Sequence, residues 1–289
     1  MSKGLCIYLT SLLAALIGWV WWKAPAVAEL GHVAPFEGLI ATTVLYLCSH
    51  VLRMFRLVLL TLDKRNKAFP LVSAHALTAL PSSFIPFKLG EVLRLIALFH
   101  VFDTRQKAIA VWLTERFGDV LVITVFILGF YLLNIKVPAE MRAVFIIFVL
   151  ASGTGLLGLF AVAKVFVYLN RHLVLTSLSP RGLILLRTSH ALRSLEINIH
   201  RSIEGRASGF LLLSALIWLF EIMALSLFIN LLAVGDPDFA ELFATGLLAT
   251  LHGDGQNAFR VYQSIVLVVL TVVFLLAAWL AARFKITRI

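Results

Sequence analysis

Lys88, Glu91 and Arg94 follow Pro86 at a spacing of three, which sets them along one side of a short helix. Glu115, Arg116 and Asp119 form a second group, with Asp119 one helical turn from both of the others. Glu221 stands apart, three residues after Trp218. All lie in apolar stretches, where an ionisable side chain costs roughly 2.5–3.5 kcal/mol to insert, so each marks function or tight pairing. For Lys88 and Arg94 the chemistry on offer is capture of an anionic phosphate. The break at Ser82, Ser83 and Pro86 starts a half-helix whose free N–H groups and positive dipole end would reinforce the two cations. Glu91, Glu115, Asp119 and Glu221 would then hold those cations or carry protons. A purely structural use stands beside this one: Arg94 and Arg116 pairing with the carboxylates to lock helices together. Arg53 and Arg56, near the end of an apolar helix, are expected to snorkel toward head groups.

The chain that positions these groups has 289 residues, 61% of them hydrophobic and 14% charged, with a mean hydropathy of +0.99. Soluble domains run at about 45–50% apolar and about 25% charged. That difference excludes a soluble enzyme, a disordered chain and a secreted disulfide scaffold, and leaves an integral membrane protein. The net charge of +10 then reads as basic loops beside anionic lipid, not as a nucleic-acid surface. Cys6 and Cys48 fall inside apolar segments, so neither a disulfide nor a metal site is expected. CxxC, HExxH and Gly-rich phosphate-loop patterns do not occur, and no cofactor is expected. A membrane-embedded transferase would need a catalytic base and an acidic pair. Asp63 and Asp103 are the visible candidates, 40 residues apart and without a motif.

Apolar runs at 5–22, 39–60, 108–133, 142–168, 209–234 and 260–282 are each long enough to cross about 30 Å of hydrocarbon. The first is read as a retained helix. Ala26-Val27-Ala28 resembles a signal cleavage site, but the run exceeds the usual 7–15 apolar residues of a signal peptide and ends in Trp19, Trp21 and Trp22. Two further segments are broken. Residues 71–100 contain Pro81 and Pro86, and 239–257 run into His252-Gly253-Asp254-Gly255. Backbone interrupted in this way at membrane depth lines a cavity or is buried in protein, so both are expected as broken helices or re-entrant hairpins. Lys64, Arg65 and Lys67 before the first break match Arg105 and Lys107 after it, which puts both flanks on the cytoplasmic side. Both termini fall inside by the same rule. The expected fold is an all-α polytopic bundle of about six full spans plus two broken or re-entrant hairpins. It is a single transmembrane domain over 1–289, with a first half at 39–133 around 71–100 and a second half at 209–283 around 239–257. Matching interruptions in oppositely oriented halves suggest an inverted repeat and point to a transport site, the alternative being a seven- or eight-helix arrangement in which both broken segments span fully. Residues 181–206 read as a cytoplasmic amphipathic helix. Leu185, Leu192, Leu195, Ile199 and Ile203 form one stripe, with Arg187, His190, Arg193 and Arg201 opposite. Such a helix either lies on an anionic leaflet or is a solvated linker.

Three of these motifs carry a resemblance. Pro86-Phe87-Lys88-Leu89-Gly90-Glu91-Val92-Leu93-Arg94 resembles the P-x-[RK]-x-G-E-x-x-R signature of the lysylphosphatidylglycerol synthase transmembrane region, also called the flippase-like domain family. Glu115-Arg116-Phe117-Gly118-Asp119 is similar to the family's ER-x-x-D helix, and Trp218 with Glu221 to its W-x-x-E helix. Arg53 and Arg56 sit where members often carry arginines. One loop departs from the pattern: Leu251–Asn257 keeps its glycines but lacks the family's proline and glutamate. The aminoacyl-transferase domain of bifunctional members has no counterpart in these residues. The resemblance therefore implies translocation of an anionic or amphipathic lipid across an inner membrane, or support of a lipid pathway, and not lysyl-lipid synthesis. Modified phospholipids, polyprenyl-linked and hopanoid-type lipids are the cargoes it suggests. The rival functions are a membrane-embedded lipid or polyprenyl-phosphate glycosyltransferase and a scaffold for a lipid-synthesis enzyme. Membrane lipids are the expected partners, with a homodimer or a lipid-synthesis enzyme as further candidates.

Overall fold

A computed structural model describes residues 36–84, 89–132, 180–232 and 257–283, together with helical stretches within 7–22 and 146–168. In chain order the elements are α1 (Phe36–Leu60), a 3-10 segment (Leu62–Lys67), α2 (Ala68–Phe84), α3 (Leu89–Val101), α4 (Arg105–Leu132), α5 (Pro180–Ile203), α6 (Ala207–Leu232) and α7 (Asn257–Arg283). Among the described residues there is no strand. Helices α1, α4, α6 and α7 begin two to three residues before their apolar runs. Their first turns hold Glu37, Arg105-Gln106-Lys107, Ser208 and Asn257, because the unpaired N–H groups of a first turn favour polar company.

The α1 helix is apolar on the outside and polar on the inside. Phe36, Ile40, Val44, Val51 and Phe55 are exposed along about 29 Å of helix. Thr42, Ser49, His50 and Arg56 are buried with Tyr46 and Leu57 on the inward face. A helix in water would show the reverse distribution, so this one is built for lipid on its outer side. Leu121, Val125 and Leu128 of α4 are exposed in the same manner, as are Val269, Val272 and Val273 of α7. Residues Phe36–Leu60 and Ala207–Phe228 are each long and apolar enough to cross a bilayer. The protein is an all-helical membrane protein.

The first broken segment differs from expectation at Pro81. Helix α2 runs through this proline to Phe84, and the interruption falls between Phe84 and Leu89. Proline has no N–H for the carbonyl four residues earlier, here that of Leu77. The Tyr8 hydroxyl donates to that oxygen at 2.7 Å and so takes the place of the lost helical bond. Ser82 and Ser83 accordingly sit in the last turn of α2 and do not begin a half-helix. Ser82 Oγ contacts the carbonyls of Thr78 (2.6 Å) and Gly90 (3.1 Å), which ties the end of α2 to the start of α3. A Cβ on Gly90 would overlap the Ser82 backbone, so the close approach requires glycine. At the other ends Lys67 Nζ donates to Val101 O at 3.0 Å and pairs with Asp103. Helices α2 and α3 are therefore antiparallel and joined at both extremities. Residues 85–88, and with them Lys88, lie outside the described residues, as do 239–256 with His252, Gly253, Asp254 and Gly255.

The chain divides into two compact units. Unit 1 comprises Met1–Val51, Val72–Arg94 and Leu219–Ile289. In it Tyr262 of α7 stacks on Phe228 of α6 with centroids 4.7 Å apart and hydrogen-bonds Thr43 of α1 at 2.9 Å. His50 and His75 face each other at 3.3 Å, with Tyr46 edge-on to His50. Unit 2 comprises Leu52–Leu71 and Leu95–Trp218. Its core gathers Leu57, Leu60, Leu71, Leu98, Phe102, Ala108, Val111 and Phe210. Helix α5 packs along α4 in this unit, and Ser194 donates to Gln106 Oε1 at 2.8 Å. Gly205, at φ 71°, ends α5 in a left-handed conformation and turns the chain into α6.

Candidate functional site

Among the described residues, unit 2 holds a dense polar cluster with Arg56 of α1 as its hub. The Arg56 side chain is 0% exposed. Nη1 donates to Asp119 Oδ1 at 2.6 Å and to Ser214 Oγ at 2.9 Å, and Nη2 donates to Glu115 Oε1 at 3.4 Å. Trp218 Nε1 donates to the same Asp119 oxygen at 3.2 Å, and Arg116 Nη1 to Oδ2 at 3.3 Å. The Arg53 guanidinium stands 6.0 Å from the Trp218 ring centroid, and that of Arg56 stands 5.9 Å from the Phe210 ring. One carboxylate thus accepts from α1, α4 and α6 together. Each helix reaches it for a local reason. Glu115 and Asp119 are four apart and share a face of α4. Between them Gly118 leaves room for the Phe210 ring, which a Cβ would strike. Ser214 and Trp218 are likewise four apart on α6.

Desolvating charges costs several kcal/mol per ion, and attraction offsets this only where geometry and hydrogen bonds are good. Here both oxygens of Asp119 are engaged by cationic or indole donors. The arrangement is a three-helix lock. Arg56 does not snorkel, contrary to the sequence-based expectation. It points inward because Thr42, Ser49 and Arg56 recur every seven residues on the buried face of α1. That spacing was the signal for it in the sequence. Trp218, Ser214, Tyr8 and the His50–His75 pair also went unrecognised as polar contacts.

The other candidates belong to unit 1. Arg94 is buried, 6% exposed, in the second turn of α3, and Glu91 and Glu221 are half-buried. Ser82 is half-buried with its hydroxyl turned to backbone carbonyls. The two aspartates that an enzyme reading would use are each held by cations. Asp63 pairs with Arg206 and, at 3.7 Å, with Lys107, and Asp103 pairs with Lys67. The Arg206 hydrogen bond, with Lys107 adding to it, keeps the Asp63 carboxyl below the usual carboxylate range.

A family model described as the lysylphosphatidylglycerol synthase TM region matches residues 7–254. No curated protein and no solved structure matches the chain.

Proposed function

The chain belongs to the lysylphosphatidylglycerol synthase TM-region family, and from that membership we propose that it moves an anionic or amphipathic lipid between the leaflets of a cytoplasmic membrane. The carrying observation is the α2–α3 hairpin. At 17 and 13 residues its arms measure about 26 Å and about 20 Å, each short of a full crossing of about 30 Å. Arms of that length, tied at both extremities, favour a hairpin that enters and leaves on one side. Helix α3 begins beside the interruption with unpaired first-turn N–H groups and carries the buried Arg94 in its second turn, and a lipid phosphate is the anion such groups would take. Lys88, within the interruption, supplies a second cation to the same phosphate. Glu91 orients the cations, and the Arg56–Asp119 lock holds the helices of its own unit in register. In this reading both termini are cytoplasmic, 239–257 forms a second hairpin that opens to the opposite side, and the two halves are an inverted repeat. The cargo is a modified phospholipid, a polyprenyl-linked lipid or a hopanoid-type lipid, and no cofactor takes part.

Mass spectrometry of lipid retained by the chain in mild detergent tests the phosphate role. The expected result is one anionic lipid class enriched over the bulk membrane, with the enrichment lost in Arg94→Gln. A retained profile equal to bulk lipid, or unchanged in Arg94→Gln, overturns the assignment.

A further inference from the structure

Helix α5 has two faces, one turned inward and one outward. Ser189, Ile199 and Ser202 are buried, while Leu192, Leu195 and Ile203 are half-buried, so the apolar stripe is turned inward. Ile203 packs on the unit 2 core, and Ser194 reaches Gln106 of α4. That stripe is not free to insert into lipid, as the usual interfacial amphipathic helix does. The outward face carries Arg187, His190, Arg193, His200 and Arg201, all exposed. Exposed Glu204 and half-buried Glu196 are the acidic residues of α5 and the turn that follows it. From Arg187 to Arg201 the arginines extend over about 21 Å of helix. Between them lies an open groove of about 420 Å³ lined by His190, Arg193, Ser194, Ile197, Asn198 and Arg201, with Ile197 exposed among the cations.

We propose that this outward face docks on the anionic head groups of the leaflet beside it, with Arg187, Arg193 and Arg201 contacting lipid phosphates. The reasons are charge complementarity and continuity with the membrane. The face is strongly cationic, it belongs to a chain embedded in a bilayer, and guanidinium groups bind phosphate oxygens in bidentate fashion. Contact made by exposed charge and not by a buried stripe is reversible and salt-sensitive. It needs the membrane embedding of the chain only, and holds whether or not the chain moves lipid.

The test uses the full chain in vesicles, with a polarity-sensitive dye on Ala191→Cys, an exposed position of α5, in a background carrying Cys6→Ser and Cys48→Ser. In phosphatidylglycerol vesicles the dye is expected to be shielded from an aqueous quencher. In phosphatidylcholine vesicles, or at high salt, the shielding should vanish. Replacing Arg193 and Arg201 by glutamine should lower the docked-to-undocked ratio about fivefold for each arginine removed. The lipid and salt comparisons keep both arginines in place, so they do not depend on how the variant folds. Equal shielding in phosphatidylcholine, shielding that survives high salt, or shielding that requires an added protein would each overturn the proposal.

Discussion

Among single residues, Asp119 holds the most together. Changing it to Asn keeps the shape but leaves Arg56, 0% exposed, with Glu115 as its remaining anionic partner at 3.4 Å. Breaking a buried pair in this way costs about 3–5 kcal/mol, because the orphaned charge stays desolvated. A large fall in the thermal midpoint in detergent is therefore expected for Asp119→Asn. A smaller fall is expected for Glu115→Gln, since Glu115 makes the longer contact. Equal effects from the two variants would show that the hub is misassigned. The sequence showed the carboxylates and their spacing, but not their main cation. Arg56 lies four residues from the end of α1, where snorkelling is also feasible, and only the inward phase it shares with Thr42 and Ser49 decides between the two.

Elements are joined here by backbone groups that sequence patterns do not display. The apolar pattern marks 71–100 as interrupted at Pro81 and Pro86; the helix runs through Pro81, and only Pro86 falls between the two helices. Nothing local to Pro81 reveals that Tyr8, 69 residues away from Leu77, supplies the missing hydrogen bond. The compensation can be tested as a cycle. Tyr8→Phe should destabilise by about 1–3 kcal/mol, the usual cost of an unsatisfied buried carbonyl. Adding Pro81→Ala should recover most of that loss, since the alanine N–H can bond Leu77 itself. If chemical denaturation finds the two changes additive, Tyr8 does not serve this role. The joint between the 3-10 segment and the turn that precedes α6 gives a pH dependence. Asp63 is held below its ordinary range by Arg206 first and Lys107 second, so its contribution is present above the ordinary carboxylate pKa. It is lost as pH falls through the depressed folded value. The carboxylate is 44% exposed, so the effect is small, but Asp63→Asn should flatten the acid side of the stability profile. An unchanged acid limb in that variant would rule the joint out as its source.

For the whole molecule, composition was the firmest guide. A chain 61% hydrophobic has to expose apolar surface somewhere, and α1 does so along its outer stripe while its polar residues turn inward. The same inversion makes part of the buried charge cluster readable. Ionisable residues in apolar runs are rare enough to list from sequence, and Glu115, Arg116 and Asp119 do meet in space. Which helix supplies each counter-charge depends on tertiary packing that the linear pattern does not encode. On the proposed function, the buried cation of α3 handles lipid phosphate during translocation. Its most direct test is the rate at which fluorescent phosphatidylglycerol becomes accessible to a membrane-impermeant reductant in proteoliposomes. Exchange is expected to be faster with the chain than in empty vesicles, and that gain is expected to be lost in Arg94→Gln with the thermal midpoint kept. Undiminished exchange in a folded Arg94→Gln chain, or no exchange above empty vesicles with any anionic lipid, would contradict it.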